Sequence, residues 1–307
     1  MKSTLMVKIL ALVVGGLSCP ALALGAVDLP LIEKGRVHHS EDVGGRFEFP
    51  LGSIIYQAEA DEQYSKGYRP SSSRQLEGNL TREIYDLPAQ IRSRGVFVMV
   101  RDSLKSSGFD IMFECARDAC GKPDAWALYL SPLMRASSDA QYYLAAKAGD
   151  ASFVGVYAKE VGGQTRILVD HILVDQPEHG VSSSDVASFE FSSGSSVVPN
   201  SARKHLASLA ERIRRSPDEE KFVLVGHADQ RGTLLRNLLL SGARAQALRK
   251  TLLEQYGVSS DKMAVAAHGY SNPQRGRVGA LDRRVEVLAQ LKADQLVTQD
   301  KVGAATD

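Results

Sequence analysis

Residues 221–257, "KFVLVGHADQRGTLLRNLLLSGARAQALRKTLLEQYG", decide the fold of the second half of this chain. The segment begins with an apolar run typical of a buried strand and ends in a leucine-rich stretch with helical periodicity. Gly257 stands where helices commonly end. The segment therefore predicts one strand–loop–helix unit, and its loop, "GHADQRGT" at 226–233, gathers most of the polar chemistry.

The flanking sequence extends this unit to a domain at residues 187–290. "ASFEF" reads as a short strand, and "NSARKHLASLAERIRRS" has an apolar stripe at helical spacing, with Asn200 or Ser201 as its cap. "KMAVAAHGY" and "RRVEVLAQL" read as two further strands. The order β-α-β-α-β-β predicts an α+β domain with helices packed on one sheet.

Residues 27–174 predict a separate α+β domain with an antiparallel sheet. "PSSSRQLEGN" is loop-like, and "NLTREIYDLP" predicts a strand ending before Pro88. From Gly95 onward, β-branched and aromatic residues between turn signals predict strands. These strands are "GVFVMV", "FDIMFEC", "WALYL", "QYYLAA", "ASFVGVYA" and "TRILVDHILV". "KEVGGQT" predicts a hairpin turn, "DQPEHGVSSSD" a linker at 175–186, and residues 291–307 a C-terminal tail.

The first 26 residues have the pattern of a secretory signal peptide. Lysines at 2 and 8 accompany the apolar run "ILALVVGGL", and small residues follow in "CPALALGA", with cleavage expected after Ala23 or Ala26. A retained membrane anchor is the first alternative, against which the shortness of the run argues. Lipidation of Cys19 is the second. The pattern predicts export.

The composition is that of a globular protein, with 44% hydrophobic and 24% charged residues. The charge is unevenly divided: residues 27–186 contain 17 Lys and Arg against 23 Asp and Glu, whereas residues 187–290 contain 16 against 10. We therefore expect the second domain to prefer a polyanionic or carboxylate-bearing partner. Nucleic acid is excluded as a partner because the chain is predicted to be exported.

Cys115 and Cys120 remain after removal of the signal peptide. Exported proteins oxidise such pairs, so we expect a structural disulfide. A redox-active pair usually has two intervening residues instead of four. The histidines at 38, 39, 171 and 179 are scattered, and we interpret them as surface or hairpin residues. Neither a metal site nor a cofactor is predicted.

Simple catalytic interpretations of the loop at 226–233 fail. A phosphate-binding loop requires a lysine where Thr233 stands. A serine hydrolase requires an exposed nucleophile such as G-x-S-x-G, which this region lacks. His227 directly follows a buried strand, so we expect it to fasten the loop and not to transfer protons.

Several motifs in the right order instead resemble one family. "VGHADQRGTLLRNLLLSGARAQAL", "GVSSDKMAVAAHGYSNP" and "DRRVEV" are similar to the OmpA-like peptidoglycan-binding domain of the Pal and MotB type. The resemblance covers residues 187–290. It implies non-covalent binding of the diaminopimelate side chain of the Gram-negative peptide stem, with an aspartate on the ligand ammonium and an arginine on its carboxylate. More weakly, "GFDIMFECARDACG" resembles an uncharacterised domain found ahead of OmpA-like modules.

The resemblance implies a set of site residues. The aspartate of "GHAD" is Asp229, and the arginine of the "LS-x-x-RA" pattern is Arg244. The remaining positions are Asn237, Thr233, Arg283 and Ser192. Asp282 departs from the family pattern, which has an asparagine there, and an aspartate cannot donate a hydrogen bond.

Elementary geometry agrees with this assignment. Asn237, Ser241 and Arg244 lie on one face of the predicted helix, and helical side chains lean toward the N-terminus, so Arg244 should reach back toward Asp229. The free N–H groups at the helix start should favour a carboxylate. We expect both charged side chains at the surface of the site. The alternative is an Asp229–Arg244 ion pair that only closes the loop.

These observations predict a cell-wall-bound periplasmic protein, with outer-membrane association as a further option. The N-terminal domain is interpreted as cargo, adaptor or sensor, and another envelope protein is its candidate partner. No catalytic constellation is evident, so no enzyme activity is predicted. The main alternative is a cell-wall enzyme whose catalytic N-terminal domain is targeted by the binding module.

Overall fold

The computed structural model describes residues 35–57, 67–174, 181–270 and 282–292. The predicted signal peptide, His179, most of the predicted C-terminal tail and the segment around "SNP" lie outside these residues. Among the described helices, none combines the length and hydropathy that a membrane-spanning segment needs.

The N-terminal part is built on a six-stranded antiparallel sheet in the order β1-β4-β8-β7-β6-β5. Its strands are β1 (Arg36–Pro50), β4 (Ser73–Asp86), β5 (Asp110–Ala116), β6 (Gln141–Ala148), β7 (Ser152–Val161) and β8 (Gln164–Val174). A two-stranded ribbon joins β2 (Ile54–Tyr56) to β3 (Tyr68–Pro70). The predicted antiparallel sheet and the hairpin at Gly162 and Gly163 are confirmed.

Two segments predicted as strands are helices. "GVFVMV" lies in α1 (Ser93–Ser106), whose buried residues recur at helical spacing through Val96, Val100 and Leu104. "WALYL" lies largely in α2 (Pro123–Tyr129), which has proline at its first position. Burial of one helical face outweighs the β propensity of valine and the aromatic residues. The loop predicted at "PSSSRQLEGN" is also wrong, because β4 begins at Ser73.

The two faces of this sheet carry different cores. α1 packs on one face, and α2 covers part of the other, where Trp126 lies wholly buried. The predicted disulfide is present there, with Cys115 and Cys120 joined at a sulfur–sulfur distance of 2.07 Å. The Trp126 indole donates a hydrogen bond to Cys120 O at 2.7 Å, so the disulfide loop also holds the tryptophan.

The C-terminal part has a four-stranded sheet in the order β11-β10-β12-β9. Its elements are β9 (Val181–Glu190), α3 (Arg203–Arg215), β10 (Lys221–Gly226), α4 (Leu234–Tyr256), β11 (Met263–Ala267) and β12 (Arg284–Lys292). β10 runs parallel to β11 and antiparallel to β12. The predicted α+β class and the order β-α-β-α-β-β are therefore confirmed.

Local details differ from the prediction at the start of α3. Asn200 and Ser201 do not cap this helix, because they form a 3-10 turn that leads into it. At the end of α4, Gly257 adopts the expected left-handed conformation, with φ 65°. Residues 181–186, predicted as the second half of a linker, instead form the first part of β9 and pair with β12.

Side chains from both parts of the chain form one hydrophobic core. Leu234, Leu235, Leu238 and Leu239 of α4 pack with α1 and with β6, β7 and β8 of the six-stranded sheet. Polar contacts accompany this packing: the Ser152 hydroxyl donates to Ala267 O at 2.7 Å. The first turns of α4 are therefore buried against the N-terminal part.

Candidate functional site

The loop at 226–233 is fixed at its start by a close approach between β10 and α4. A Cβ atom on Gly226 would overlap the main-chain carbonyl of Ser241, so only glycine fits there. The next two main-chain N–H groups are also held: His227 N donates to Arg284 O at 2.9 Å, and Ala228 N donates to Gly269 O at 2.6 Å. The sheet therefore sets the position of the residue that follows, Asp229.

His227 fastens the loop, as predicted. Its side chain is only 2% exposed, and its Nε2 lies 3.1 Å from Glu286 Oε2 on β12. This hydrogen bond, together with Arg284, lowers the pKa of Glu286 to about 2 against the opposing effect of burial. Glu286 is thus an acceptor that ties the histidine to the sheet.

Asp229 is a nearly buried carboxylate surrounded by arginines. Its Oδ2 accepts from Arg231 Nη2 at 2.8 Å and from Arg283 Nη1 at 3.2 Å. Within the described part of the chain, its Oδ1 accepts only a long bond of 3.4 Å, from Arg231 N. Burial raises the pKa of Asp229, but the bonds from Arg231 and Arg283 outweigh burial and lower it overall. The group is ionised at neutral pH, and its Oδ1 keeps most of its acceptor capacity.

Arg244 is fully buried beneath the loop and donates to three main-chain carbonyls. Its Nε bonds Ser195 O at 2.9 Å, its Nη1 bonds His227 O at 2.9 Å, and its Nη2 bonds Ser192 O at 3.1 Å. Burial lowers the pKa of Arg244 to about 10, so it stays charged at neutral pH. The residue reaches back toward the loop, as its helical position predicts.

Thr233 and Asn237 line the start of α4. Thr233 caps the helix, because its hydroxyl accepts from Arg236 N at 3.3 Å. Asn237 is 1% exposed, and neither its Oδ1 nor its Nδ2 has a hydrogen-bond partner within the described residues. Its Oδ1 would lie 3.8 Å from a Cβ on Gly232, which places the amide directly behind the loop.

Ser192, Arg283 and Asp282 complete the predicted set. Ser192 contributes its main-chain carbonyl to Arg244, so the serine side chain is not the group in contact. Arg283 bridges Asp229 and Phe191 O. Asp282 is buried, with its carboxylate 4.0 Å from Arg284 Nη1. The six predicted site residues thus gather around one loop, with Asp282 beside them.

Two expectations about the charged pair are wrong. No hydrogen bond or ion pair joins Asp229 to Arg244 within the described residues, because Asp229 is engaged by Arg231 and Arg283 while Arg244 serves carbonyls. The ion-pair alternative is therefore excluded. Nor does Arg244 lie at the surface, since its side chain has no exposed area. Its removal would leave three carbonyls without a donor.

Two further residues belong to the site and were not predicted from the sequence. Arg231 lies in the quoted loop, and its 69% exposed guanidinium covers the Asp229 carboxylate; its position two residues after an aspartate was the available signal. Glu83 of β4 has no such signal, because it lies 151 residues before its hydrogen-bond partner, Leu234. Its Oε2 accepts from Leu234 N at 2.8 Å, at the helix start where a ligand carboxylate was expected.

The described residues contain no group of three or more His, Cys, Asp or Glu arranged to hold a metal ion. His171 was predicted at the surface or in a hairpin but is fully buried. It contacts the Ser152 hydroxyl at 3.0 Å beside the shared core.

Part of the chain is similar to known proteins. Residues 190–285 match the OmpA family. Outer membrane porin F of Pseudomonas aeruginosa is 31% identical over 110 residues, which are 34% of this chain and 31% of the porin. The peptidoglycan-associated lipoprotein of Brucella melitensis is 34% identical over 83 residues, which are 27% of this chain and 48% of the lipoprotein. The chain thus spans less than half the length of these relatives.

Solved structures also match part of the chain. The peptidoglycan-associated lipoprotein from Burkholderia pseudomallei is 27% identical, with a TM-score of 0.32, and covers 34% of this chain and 91% of its own. The C-terminal domain of Helicobacter pylori MotB is 20% identical, with a TM-score of 0.33. The match covers 38% of this chain and 94% of the MotB domain.

The C-terminal part is thus a small α+β domain. It has a mixed four-stranded sheet, and a polar loop joins a strand of that sheet to a helix. Residues 190–285 are an OmpA family domain, which confirms the resemblance stated for the C-terminal part of the chain.

Proposed function

We propose that this chain binds peptidoglycan non-covalently through the loop at 226–233 and thereby holds its N-terminal sheet against the cell wall. Two relatives support this location, since one is an outer membrane porin and the other a peptidoglycan-associated lipoprotein. The protein would then be periplasmic and wall-bound, with an outer-membrane association as an option.

The observation that carries the proposal is the Asp229 carboxylate. It is ionised and almost buried, and among the described residues its Oδ1 has only one long hydrogen bond. An ammonium group of a ligand can donate to this oxygen with a charge-assisted bond. We propose the ammonium of diaminopimelate as that group, with the Arg244 guanidinium as the partner of the neighbouring carboxylate.

The residues around Asp229 fit a zwitterionic ligand. Arg244 has five N–H groups and uses three of them on carbonyls, so two remain for a carboxylate once the ligand displaces the loop that covers the guanidinium. Arg283, beside Asp229, adds positive charge on the same side. The buried amide of Asn237 has no partner within the described residues, and such a group gains about 1–3 kcal/mol when a ligand pairs with it. Thr233 and the main chain of Ser192 shape the site.

Arg231 already occupies part of this site. Its guanidinium lies on Asp229 Oδ2, where it provides the positive charge that a ligand ammonium would provide. Because the Arg231 side chain is mostly exposed, its ion pair is weak and open to exchange. We propose that ligand binding displaces this side chain.

Binding of the full-length exported chain to isolated peptidoglycan tests the proposal. Asp229→Asn keeps the shape of the side chain but removes its charge, and we expect about ten- to a hundredfold weaker sedimentation with diaminopimelate-containing wall. Asp261→Asn is a matched control, because Asp261 is exposed in the 3-10 turn just before β11. Gly226 pairs with Ala267 at the other end of β11, so Asp261 lies at the opposite end of the sheet from the loop. Melting curves of both variants check that they are folded.

Comparison of two wall types tests the ligand itself. Wall with lysine in place of diaminopimelate lacks the distal carboxylate, so it should bind about ten- to a hundredfold less. Equal binding of both walls would contradict the diaminopimelate proposal, and full binding by Asp229→Asn would contradict the site. Release of soluble wall fragments would favour the cell-wall enzyme instead.

A further inference from the structure

The N-terminal part contains a cavity of about 560 Å³ that plays no part in the proposed wall site. It lies on the face of the six-stranded sheet opposite α1, between the sheet and the end of α2. Its walls include Phe47, Arg69, Leu80, Arg82, Tyr129 and Ile172. A volume in this range is typical of sites for small organic ligands.

Several lining residues are apolar and belong to the core of the sheet. Leu80 and Ile172 are buried core residues of the sheet, and Phe49 is 2% exposed beside them. The partly buried ring of Phe47 packs against the same core cluster. Phe47, which is only partly buried, offers a ligand apolar surface, and burial of such surface contributes about 25 cal/mol per Å².

Most charged groups in the lining already have hydrogen-bond or ion-pair partners. Arg82 donates to both oxygens of Asp170, at 2.6 and 2.8 Å, and to Leu130 O. Glu48 accepts from the Tyr129 hydroxyl at 3.1 Å and from Ser73. Arg46, at the exposed edge, pairs with Glu77 at 3.1 Å.

The exception is Arg69. Its side chain makes no hydrogen bond and no ion pair within the described residues, although the residue is half-buried in the wall of the cavity. Arg69 and Tyr129 both line this cavity. A half-buried cation without a partner is costly and favours an anion nearby.

We propose that this cavity binds a small amphiphilic anion, with its carboxylate or phosphate on Arg69 and its aliphatic part on Phe47, Leu80 and Ile172. The head group chemistry is common to fatty acids and to single-chain phospholipid fragments. The site is independent of the loop at 226–233, because it lies on the N-terminal sheet.

The single tryptophan of the chain makes this site measurable. Trp126 packs on Tyr143 with ring centroids 4.3 Å apart, and Tyr143 lines the cavity. Entry of an aliphatic chain next to Tyr143 should change the emission of Trp126. We propose titrating the full chain with decanoate and with decyl phosphate, using decanol and decyltrimethylammonium as probes of the same length without negative charge.

The expected result is saturable binding of the anionic probes and at least tenfold weaker binding of decanol and the cationic probe. Arg69→Gln should reduce affinity for decanoate by about ten- to a hundredfold, as expected for one charge-assisted contact. Arg94→Gln is the matched control, because Arg94 is an exposed residue of α1 on the opposite face of the sheet. It should leave binding unchanged.

Circular dichroism and calorimetry complete the test. Calorimetry measures the same affinities without dependence on Trp126, and circular dichroism shows whether Arg69→Gln is folded. Decanoate binding that survives Arg69→Gln, equal binding of all four probes, or no saturable binding at millimolar concentration would overturn the proposal. A preference for decyl phosphate over decanoate would identify a phosphate head group, and the reverse preference would identify a fatty acid.

Discussion

The carboxylate of Glu83 on β4 accepts a hydrogen bond from the main-chain N of Leu234, the first residue of α4, at 2.8 Å. Glu83 also accepts from the Tyr85 hydroxyl and is 8% exposed. An acid of the N-terminal sheet thus satisfies a helix N-terminus of the OmpA family domain, where negative charge is favourable. This contact and the shared core couple the two parts of the chain.

Loss of this contact should destabilise the protein. Glu83→Ala leaves the N–H of Leu234 and the hydroxyl of Tyr85 without their acceptor, so we expect about 1–3 kcal/mol less stability in denaturant unfolding. Glu77→Ala, which breaks the exposed pair with Arg46, should cost less than about 1 kcal/mol. Equal effects of the two changes would show that Glu83 does not couple the parts.

Removal of Arg231 should strengthen wall binding. Arg231→Gln frees the Asp229 carboxylate from its internal cation, and a weak exposed pair contributes about 0.2–1 kcal/mol, which corresponds to up to about fivefold in affinity. Sedimentation with diaminopimelate-containing wall measures this change. Arg215→Gln, at an exposed position of α3, controls for loss of net charge. Weaker binding would mean that Arg231 contacts the ligand directly.

Arg244→Ala should unfold or strongly destabilise the C-terminal part. Three carbonyls lose their donor, and each buried unpaired group costs about 1–3 kcal/mol, so we expect a loss of at least about 3 kcal/mol. Thermal melting checks this result. A stable Arg244→Ala protein that fails to bind the wall would instead assign the residue mainly to the ligand.

Reduction of the Cys115–Cys120 disulfide should weaken the N-terminal part moderately. The bridge closes a short loop, so its effect on the unfolded chain is about 2 kcal/mol. A Cys115→Ser, Cys120→Ser double variant measured by denaturant unfolding should match the reduced wild type. Thiols that alkylate freely in protein taken from the periplasm would contradict a structural bridge in the cell.

Acidification should destabilise the protein already at pH values above those at which carboxylates become protonated. Burial lowers the pKa of His171 to about 4, against about 6.5 in an unfolded chain. Between these values the unfolded state binds the proton and the folded state does not, so stability falls as pH falls. The loss for one such histidine reaches about 2 kcal/mol at pH 5.

His268 should add to this effect. Burial first, and then the nearby His227 and His171, lower the pKa of His268 to about 3, so it has the same sign of pH dependence. Denaturant midpoints at pH 7 and pH 5 measure the combined loss, and His171→Gln should reduce it, whereas His39→Gln at a more exposed site should not. Equal stability at the two pH values would exclude buried neutral histidines.

The C-terminal part was predictable because its signals are local. The apolar run in "KFVLV", the leucine spacing of α4 and the terminating Gly257 all lie within a few residues of the structure they specify. Predictions failed where distant packing decides. Val96 and Val100 favour a strand by propensity, but they belong to a helix because the shared core buries that face. β1 was missed because most of its side chains are exposed and polar.

The site was predictable to the same degree. Asp229, Asn237 and Arg244 are the candidates that the resemblance to the OmpA-like domain implies, but the burial of Arg244 depends on carbonyls of residues 192 and 195, about 50 positions away. Glu83 is more remote still. Sequence spacing thus identifies which groups meet, whereas their exposure depends on contacts that only the folded chain brings together.

The core that joins α4 to the six-stranded sheet has a mechanical consequence. Leu234 and Leu238 follow the loop at 226–233 within two helical turns and are packed directly against that sheet. Under the proposed function, a pull on the wall would therefore reach the N-terminal sheet through interlocked side chains, which resist compression and shear. The distance and orientation between the wall and the N-terminal sheet would therefore stay fixed. The cavity beside Arg69 would keep a constant orientation relative to the wall.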